Sequence, residues 1–306
     1  MTATRVAAFD CGTNSLRLLI ADVEDGRLVD VLRRTELVRL GHGVDRTGRF
    51  DPDALERTLA VTREYAALVD ESGASRRRFV ATSATRDAAD REDFLGAVER
   101  IIGVRPETIS GEEEAALSFR GAVSAVDAAR PVLVVDLGGG STELVSGVDA
   151  PEQAHSMDVG SVRLTERHRA SGGAPTEEQR DAIRADVRRA LAASSVDLSA
   201  ARSVVGVAAT VLTVTAHVLR LETHDRGALE ATLPIRDVLA ACDELAALSP
   251  AETAALPYVR AGREDVLGAG AAIWAEVLRA VQQASPAVTT VTTTAHDILD
   301  GLALTL

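Results

Sequence analysis

The chain has 306 residues, more than one small hydrophobic core needs and enough for two domains. Hydrophobic residues are 46% and charged residues 26%, a globular composition that excludes a disordered chain. With 46 acidic against 33 basic residues the formal charge is −13, so the positive field of a general nucleic-acid or membrane-surface binder is missing, and 3% aromatics leave little for base stacking.

Arg5 to Asp10 is an apolar run ending in a carboxylate and is predicted to be a strand. A Gly-containing turn leads to a second strand, Ser15 to Val23, and Asp25-Gly26 makes a hairpin into Leu28 to Leu40. Gly41, Gly43 and Gly48 mark a loop, after which Asp51-Pro52 opens a helix running to Ser72. Arg78 to Ser83 is a further predicted strand, followed by a helix capped by Asp87 and ending near Gly103. Ser110 opens another helix. Pro131 to Asp136 then restarts the N-terminal pattern, with Gly138-Gly139-Gly140 as the turn and Ser141 to Val148 as the next strand. The later chain is mostly helical: Thr176 to Ala193, Ala208 to Arg220, Ile235 to Ala247 and Val266 to Gln283. Ser203 to Leu219 carries several Thr and a His, and reads as a buried strand and helix rather than a membrane span. A strand near Val288 to Thr292 and a helix from Asp297 complete the chain.

All 33 basic residues are Arg, which excludes a phosphate-loop lysine, a Schiff-base lysine and a lysine base. Coding bias accounts for most of this, yet cationic contacts with any substrate must still come from guanidinium groups, a metal or backbone amides. Cys11 and Cys242 form neither a metal-ligand spacing nor a disulfide framework, as in a reducing cytoplasm, and Cys11 reads as a small buried hydrophobe. The N-terminus lacks the apolar core of a signal peptide, so a soluble, cytoplasmic protein is expected.

Asp10-Cys11-Gly12-Thr13-Asn14-Ser15 aligns with Asp136-Leu137-Gly138-Gly139-Gly140-Ser141: the Asp, the first Gly and the Ser coincide, and Leu18 matches Leu144. This internal duplication sets the architecture. Gly lets backbone N–H groups converge on an anion, and the hydroxyls of Thr13, Ser15, Ser141 and Thr142 add donors. Two such loops facing each other would grip a phosphate chain from both sides. Either loop alone is more often just a turn. Asp136 and Glu143, seven residues apart across a hairpin, could approach one Mg²⁺ bound to phosphate oxygens. The plainer alternative makes Asp136 a turn cap and Glu143 a solvated strand residue. Arg17 stands where Glu143 stands in the second repeat, so one loop offers a cation and the other an anion.

In Ser110-Gly111-Glu112-Glu113-Glu114-Ala115, Ser110 fits as N-cap, and Glu113 falls where a capping-box side chain returns to the cap N–H. Glu112 and Glu114 then point about 200° apart, and one of the two is free to enter a cleft. Thr82, Ser83 and Arg86, in the segment Ala81 to Arg86, are candidates for phosphate oxygens; a polar connection capped by Asp87 is the equal alternative. The run Arg76-Arg77-Arg78 reads as a solvated edge. His42, His155, His168, His217, His224 and His296 show no ligand spacing and are expected to be structural or surface groups.

The strings FDCGTNSLRLLI, LGHGVDRTGRF, ATSATRDAAD, ISGEEEAALSF, VVDLGGGSTELVSG and DVGSVRLTERH occur in this order, and with GREDVLGAGAAIW and DILDGLAL they cover essentially the whole chain. Together they resemble the exopolyphosphatase/guanosine pentaphosphate phosphohydrolase family in its short two-domain form. The resemblance implies an α/β fold of two related actin-like (ribonuclease H-like) domains with a phosphate-binding cleft between them, residues 1–125 and 126–294, with the closing helix 295–306 packed on the first. It implies Glu114 as general base and Arg86 as essential arginine. Asp136 and Glu143, with Asp10, are its metal ligands for Mg²⁺ (or Mn²⁺). Gly12, Thr13, Asn14, Ser15, Arg17, Ser83, Gly138, Gly139, Gly140, Ser141 and Thr142 are its phosphate-binding residues. The substrate implied is inorganic polyphosphate, cleaved at its terminal phosphoanhydride, with guanosine pentaphosphate as the rival substrate. A homodimer with no nucleic-acid or membrane partner is also implied. One departure stands out: where the family often has a double glycine before Thr, Gly206-Val207-Ala208-Ala209-Thr210 has one Gly, and the bulk of Val207 weighs against guanosine. A small-molecule kinase or a nucleotide-dependent scaffold are more distant readings of the same fold.

Overall fold

The computed structural model describes residues 3–168, 173–223 and 225–306, so His224 lies outside the described residues. Its contacts divide the chain into two compact units, Met1–Gly121 with Ile298–Leu306, and Ala122–Asp297.

In the first unit, strands β1 (Thr4–Cys11), β2 (Ser15–Glu24) and β3 (Arg27–Leu37) form an antiparallel meander. The short helix α1 (Val44–Thr47) and the long helix α2 (Pro52–Ser72) follow. The Asp51 carboxylate caps α2 by accepting from the N–H groups of Asp53 and Ala54, with Pro52 at the first helical position, where its missing N–H costs nothing. Strand β4 (Arg76–Ala81) pairs parallel to β1 and β5 (Glu107–Thr108) parallel to β4, giving the order β3-β2-β1-β4-β5. Helices α3 (Ser83–Asp87) and α4 (Arg91–Ile102) lie between β4 and β5, and α5 (Gly111–Ala125) follows. This corrects the expectation of one helix capped by Asp87. Ser83 opens a separate short helix, Asp87 ends it, and Asp90 is the N-cap residue of α4.

In the second unit, β6 (Val132–Leu137), β7 (Thr142–Gly147) and β8 (Pro151–Met157) repeat the meander. They are followed by α6 (Ser161–His168), α7 (Glu177–Ala193), β9 (Ser203–Val207), α8 (Ala209–Val218) and β10 (Ala231–Pro234). Helices α9 (Ile235–Ala247), α10 (Pro250–Ala254) and α11 (Leu267–Ala284) precede β11 (Thr290–Thr293), and α12 (Ile298–Ala303) returns the chain to the first unit. The sheet order is β10-β11-β9-β6-β7-β8, with β9 parallel to β6 and β11 parallel to β9. Read from β8 to β11 it reproduces, in order and direction, the sheet of the first unit. The duplication seen in two short strings is therefore a duplication of topology.

Both halves of the expected fold class are met: the architecture is mixed α/β with two sheets of the actin-like kind. Each unit buries its own core. Phe9, Leu16, Leu18, Phe79 and Phe94 lead one cluster in the first, and Trp274, Leu133, Leu144, Val205 and Leu278 are fully buried in the second. No helix among the described residues is long and apolar enough to cross a membrane.

Candidate active site

The turns that join β1 to β2 and β6 to β7 share one construction. Gly12 N–H donates to Ser15 O at 2.9 Å, and Gly138 N–H donates to Ser141 O at 3.0 Å. The strand registers agree as well: Asp10 pairs with Arg17, and Asp136 with Glu143. The same backbone thus carries an opposite charge seven residues after the Asp of each repeat.

In the first unit, Arg17 Nη1 donates to the buried Asp10 carboxylate at 3.4 Å. The turn is tied down from behind. Gly41 N–H donates to Thr13 O at 2.8 Å, and the N–H groups of Val38 and Arg39 donate to Asn14 O at 3.1 and 2.9 Å. A trans peptide points its C=O and the following N–H in opposite directions, so Asn14 N–H faces away from Gly41. Asn14 is buried and its Nδ2 has no hydrogen-bond partner. An orphaned buried donor costs about 1–3 kcal/mol, a cost that an anionic ligand would remove.

Thr82 N–H donates to Cys11 O at 3.1 Å, which joins this turn to α3. From α3, Arg86 Nη1 donates to Glu114 Oε2 at 2.7 Å and to Ile109 O at 3.1 Å. Glu114 is buried and Glu112 exposed, which separates the two glutamates that helical geometry left open. Ser110 does cap α5, accepting from Glu113 N–H at 3.1 Å, but the Glu113 carboxylate pairs with Arg78 at 2.8 Å. The return half of the capping box gives way to an ion pair with a strand distant in sequence. Burial pushes the Glu114 carboxyl above its ordinary 4.5, and the Arg86 guanidinium and Thr82 hydroxyl pull it only part of the way back. Ser83, at the start of α3, is buried in the same region of the unit.

In the second unit, Asp136 and Glu143 stand directly opposite each other on β6 and β7, and both are buried. Directly opposed residues hold their Cβ atoms about 5 Å apart, close enough to share a ligand. Ser156 on β8 donates to Glu143 Oε1 at 2.7 Å, an orienting contact that sequence did not single out. Ser141 and Thr142 are buried, and the Thr142 hydroxyl is engaged by Val159 O at 2.6 Å, so Thr142 braces the loop. Among the described residues, no group of three or more His, Cys, Asp or Glu side chains could hold a metal ion. Two opposed carboxylates nevertheless suit a hard cation that keeps several waters and takes its other ligands from phosphate oxygens.

Val207 is fully buried at the end of β9. The residue that departs from glycine with physical consequence is the next one, Ala208, held at φ 74° and ψ 169° just before α8. That region is populated almost only by glycine. Elsewhere, Arg77 and Arg78 of the arginine run are paired with Asp70 and with Glu107 and Glu113. His168 bonds Asp186 at 2.7 Å, and His217 lies between Tyr258 at 2.5 Å and Glu244 at 2.9 Å. Cys11 and Cys242 are buried free thiols.

Residues 19–304 match the model of the Ppx/GppA phosphatase family. Exopolyphosphatase 2 of Mycobacterium tuberculosis is 44% identical over 319 aligned positions, covering 100% of this chain and 99% of the relative. A crystal structure of an exopolyphosphatase-like protein superimposes with a TM-score of 0.96 at 42% identity, covering 100% of this chain and 98% of that one. The crystal structure of an Aquifex aeolicus member of the Ppx/GppA family gives a TM-score of 0.81 at 28% identity, covering 99% and 97%.

Proposed function

The chain belongs to the Ppx/GppA phosphatase family, and from that membership we propose that it is an exopolyphosphatase, releasing orthophosphate from the end of inorganic polyphosphate. The observation that carries this reading is the buried Glu114–Arg86 pair, joined through Thr82 to a turn with an orphaned amide donor at Asn14. A carboxyl raised by burial is suited to accept a proton near neutral pH.

Glu114 takes a proton from a water whose oxygen attacks the terminal phosphorus. The bridging P–O bond breaks, and the shortened chain leaves with the electron pair. Arg86, paired with Glu114, holds the carboxylate in place and offers its remaining N–H donors to phosphate oxygens. Gly12, Thr13, Asn14, Ser15 and Ser83 in the first unit, and Gly138, Gly139, Gly140 and Ser141 in the second, bind phosphate oxygens through amides and hydroxyls. Asp136 and Glu143 would hold Mg²⁺ or Mn²⁺, which would supply charge neutralisation on the phosphate oxygens. Arg17 would offer its guanidinium to a phosphate oxygen, and Asp10 would be a further oxygen ligand for a metal. Phosphoryl transfer needs mainly positioning and charge stabilisation, so a lysine-free chain suffices. Two buried free thiols accord with a cytoplasmic setting, and a homodimer belongs to the same reading on the family resemblance.

The test compares orthophosphate release from medium-chain polyphosphate and from guanosine pentaphosphate, with Mg²⁺ and with EDTA, for the native chain and Glu114→Gln. Release from polyphosphate that is abolished by EDTA and by the substitution is expected. Release from guanosine pentaphosphate alone would reassign the substrate, and release from neither would overturn the hydrolase reading.

A further inference from the structure

The carbonyls of the Gly138–Gly140 turn are all held from one side. Ser161 N–H donates to Gly138 O at 3.1 Å, and the N–H groups of Val162 and Arg163 donate to Gly139 O at 2.8 and 3.1 Å. Arg163 Nε–H donates to Gly140 O at 2.7 Å. The three backbone donors are the free N–H groups with which any helix begins, and in α6 they bind a loop instead of an anion. They reach it because Gly160 has no side chain: a Cβ there would lie 2.4 Å from Gly139 O. Since each trans peptide opposes its C=O to the next N–H, the N–H groups of Gly139, Gly140 and Ser141 face away from α6. Two of these peptides are oriented by the helix backbone. The third, Gly140–Ser141, is oriented by a side chain.

Resting on the reading that this loop binds substrate phosphate, we infer that Arg163 is a positioning residue, whose Nε–H fixes the Gly140–Ser141 peptide so that Ser141 N–H is presented to a phosphate oxygen. Rotation of that peptide would turn a carbonyl oxygen toward the polyanion and exchange attraction for repulsion. The role belongs to the donor at the ε position and not to the charge as such, and that distinction can be tested.

A Gln side chain places an amide N–H at the chain position of Arg Nε and carries no charge. Lys keeps the charge but puts a methylene there, and Met supplies neither. Arg163→Gln, Arg163→Lys and Arg163→Met are compared with the native chain for kcat and KM on polyphosphate, for tripolyphosphate affinity by calorimetry, and for thermal midpoint. Arg163→Gln is expected to keep most of the activity. The Lys and Met variants should lose about tenfold to a hundredfold, the range for a group that orients a ligand-binding element, with tripolyphosphate affinity in the same order. Arg163→Lys outperforming Arg163→Gln would overturn the inference in favour of a direct charge contact. Losses that track the thermal midpoint would also overturn it, by showing a merely structural role. Should the native chain release no phosphate from polyphosphate, the exopolyphosphatase reading fails, and the order of tripolyphosphate affinities still decides the role of Arg163.

Discussion

At Glu114 two opposed effects act on one carboxyl. Burial raises its carboxyl above 4.5, while Arg86 at 2.7 Å and the Thr82 hydroxyl draw it down. On the proposed reading Glu114 is the base and works only when ionised, so kcat/KM on polyphosphate should rise with pH along an acid limb lying above the ordinary value of a Glu carboxyl. Arg86→Gln removes the larger of the lowering influences, and the acid limb of its residual activity should move to still higher pH. A limb that moved down, or stayed in place, would assign the limb to another group. Ala208 is a second case. Its φ of 74° and ψ of 169° cost about 1–3 kcal/mol for a residue with a Cβ, and glycine removes that strain. Ala208→Gly should therefore raise the denaturant midpoint at unchanged slope, a net gain of about 1 kcal/mol after the greater freedom of the unfolded glycine chain.

Among the elements, α12 shows how much a short helix can decide. Ile298, Leu299, Leu302 and Ala303 join Val6, Ala8, Leu19, Ala21 and Val80 in one buried apolar cluster over β1 and β2. Each fully buried Leu or Ile contributes about 1.5–3 kcal/mol, so six residues of helix weigh on the whole sheet. Arg33 on β3 bonds the fully buried Asp300 carboxylate at 2.6 and 3.1 Å, which fixes the helix along its axis. The approach of α12 to α5 depends on Gly301: a Cβ there would lie 1.9 Å from Leu117 O, a backbone atom that cannot swing aside. Gly301→Ala should destabilise the first unit by about 1–3 kcal/mol, the usual cost of overpacking.

At the scale of the molecule, the same chain makes one topology twice, then sends its last residues, Ile298–Leu306, back to the first unit. Each unit has its own core, and the single Trp, Trp274, is fully buried in the second. Trp274 emission therefore reports on the second unit, whereas far-ultraviolet circular dichroism reports on both. In Gly301→Ala the dichroism transition should begin at lower denaturant while the Trp274 transition keeps its midpoint. Coincident shifts would mean that the two units unfold as one. The net charge of −13 acts at this scale too, since guanidinium groups, amides and a bound metal must act locally against a repulsive background field.

Local strings sufficed for whatever depends on contiguous residues. The Asp–Gly–Ser turns, their duplication, the cap at Asp51 with Pro52, and the helix Ile235–Ala247 are legible because each is set by residue types a few positions apart. The family is legible for the same reason, through motifs whose order survives along the whole chain. The family motif already pointed to Glu114, but helical geometry left it level with Glu112 until burial separated them, and tertiary structure alone gave Glu113 to Arg78 in place of its own cap. Tertiary structure alone also split α3 from α4, buried Val207 while straining Ala208, and set Gly160 and Arg163 behind the glycine turn of the second unit. Each of these outcomes rests on a contact between segments far apart in sequence, where packing and ion pairing outweigh the local preferences that a periodicity or a capping rule records.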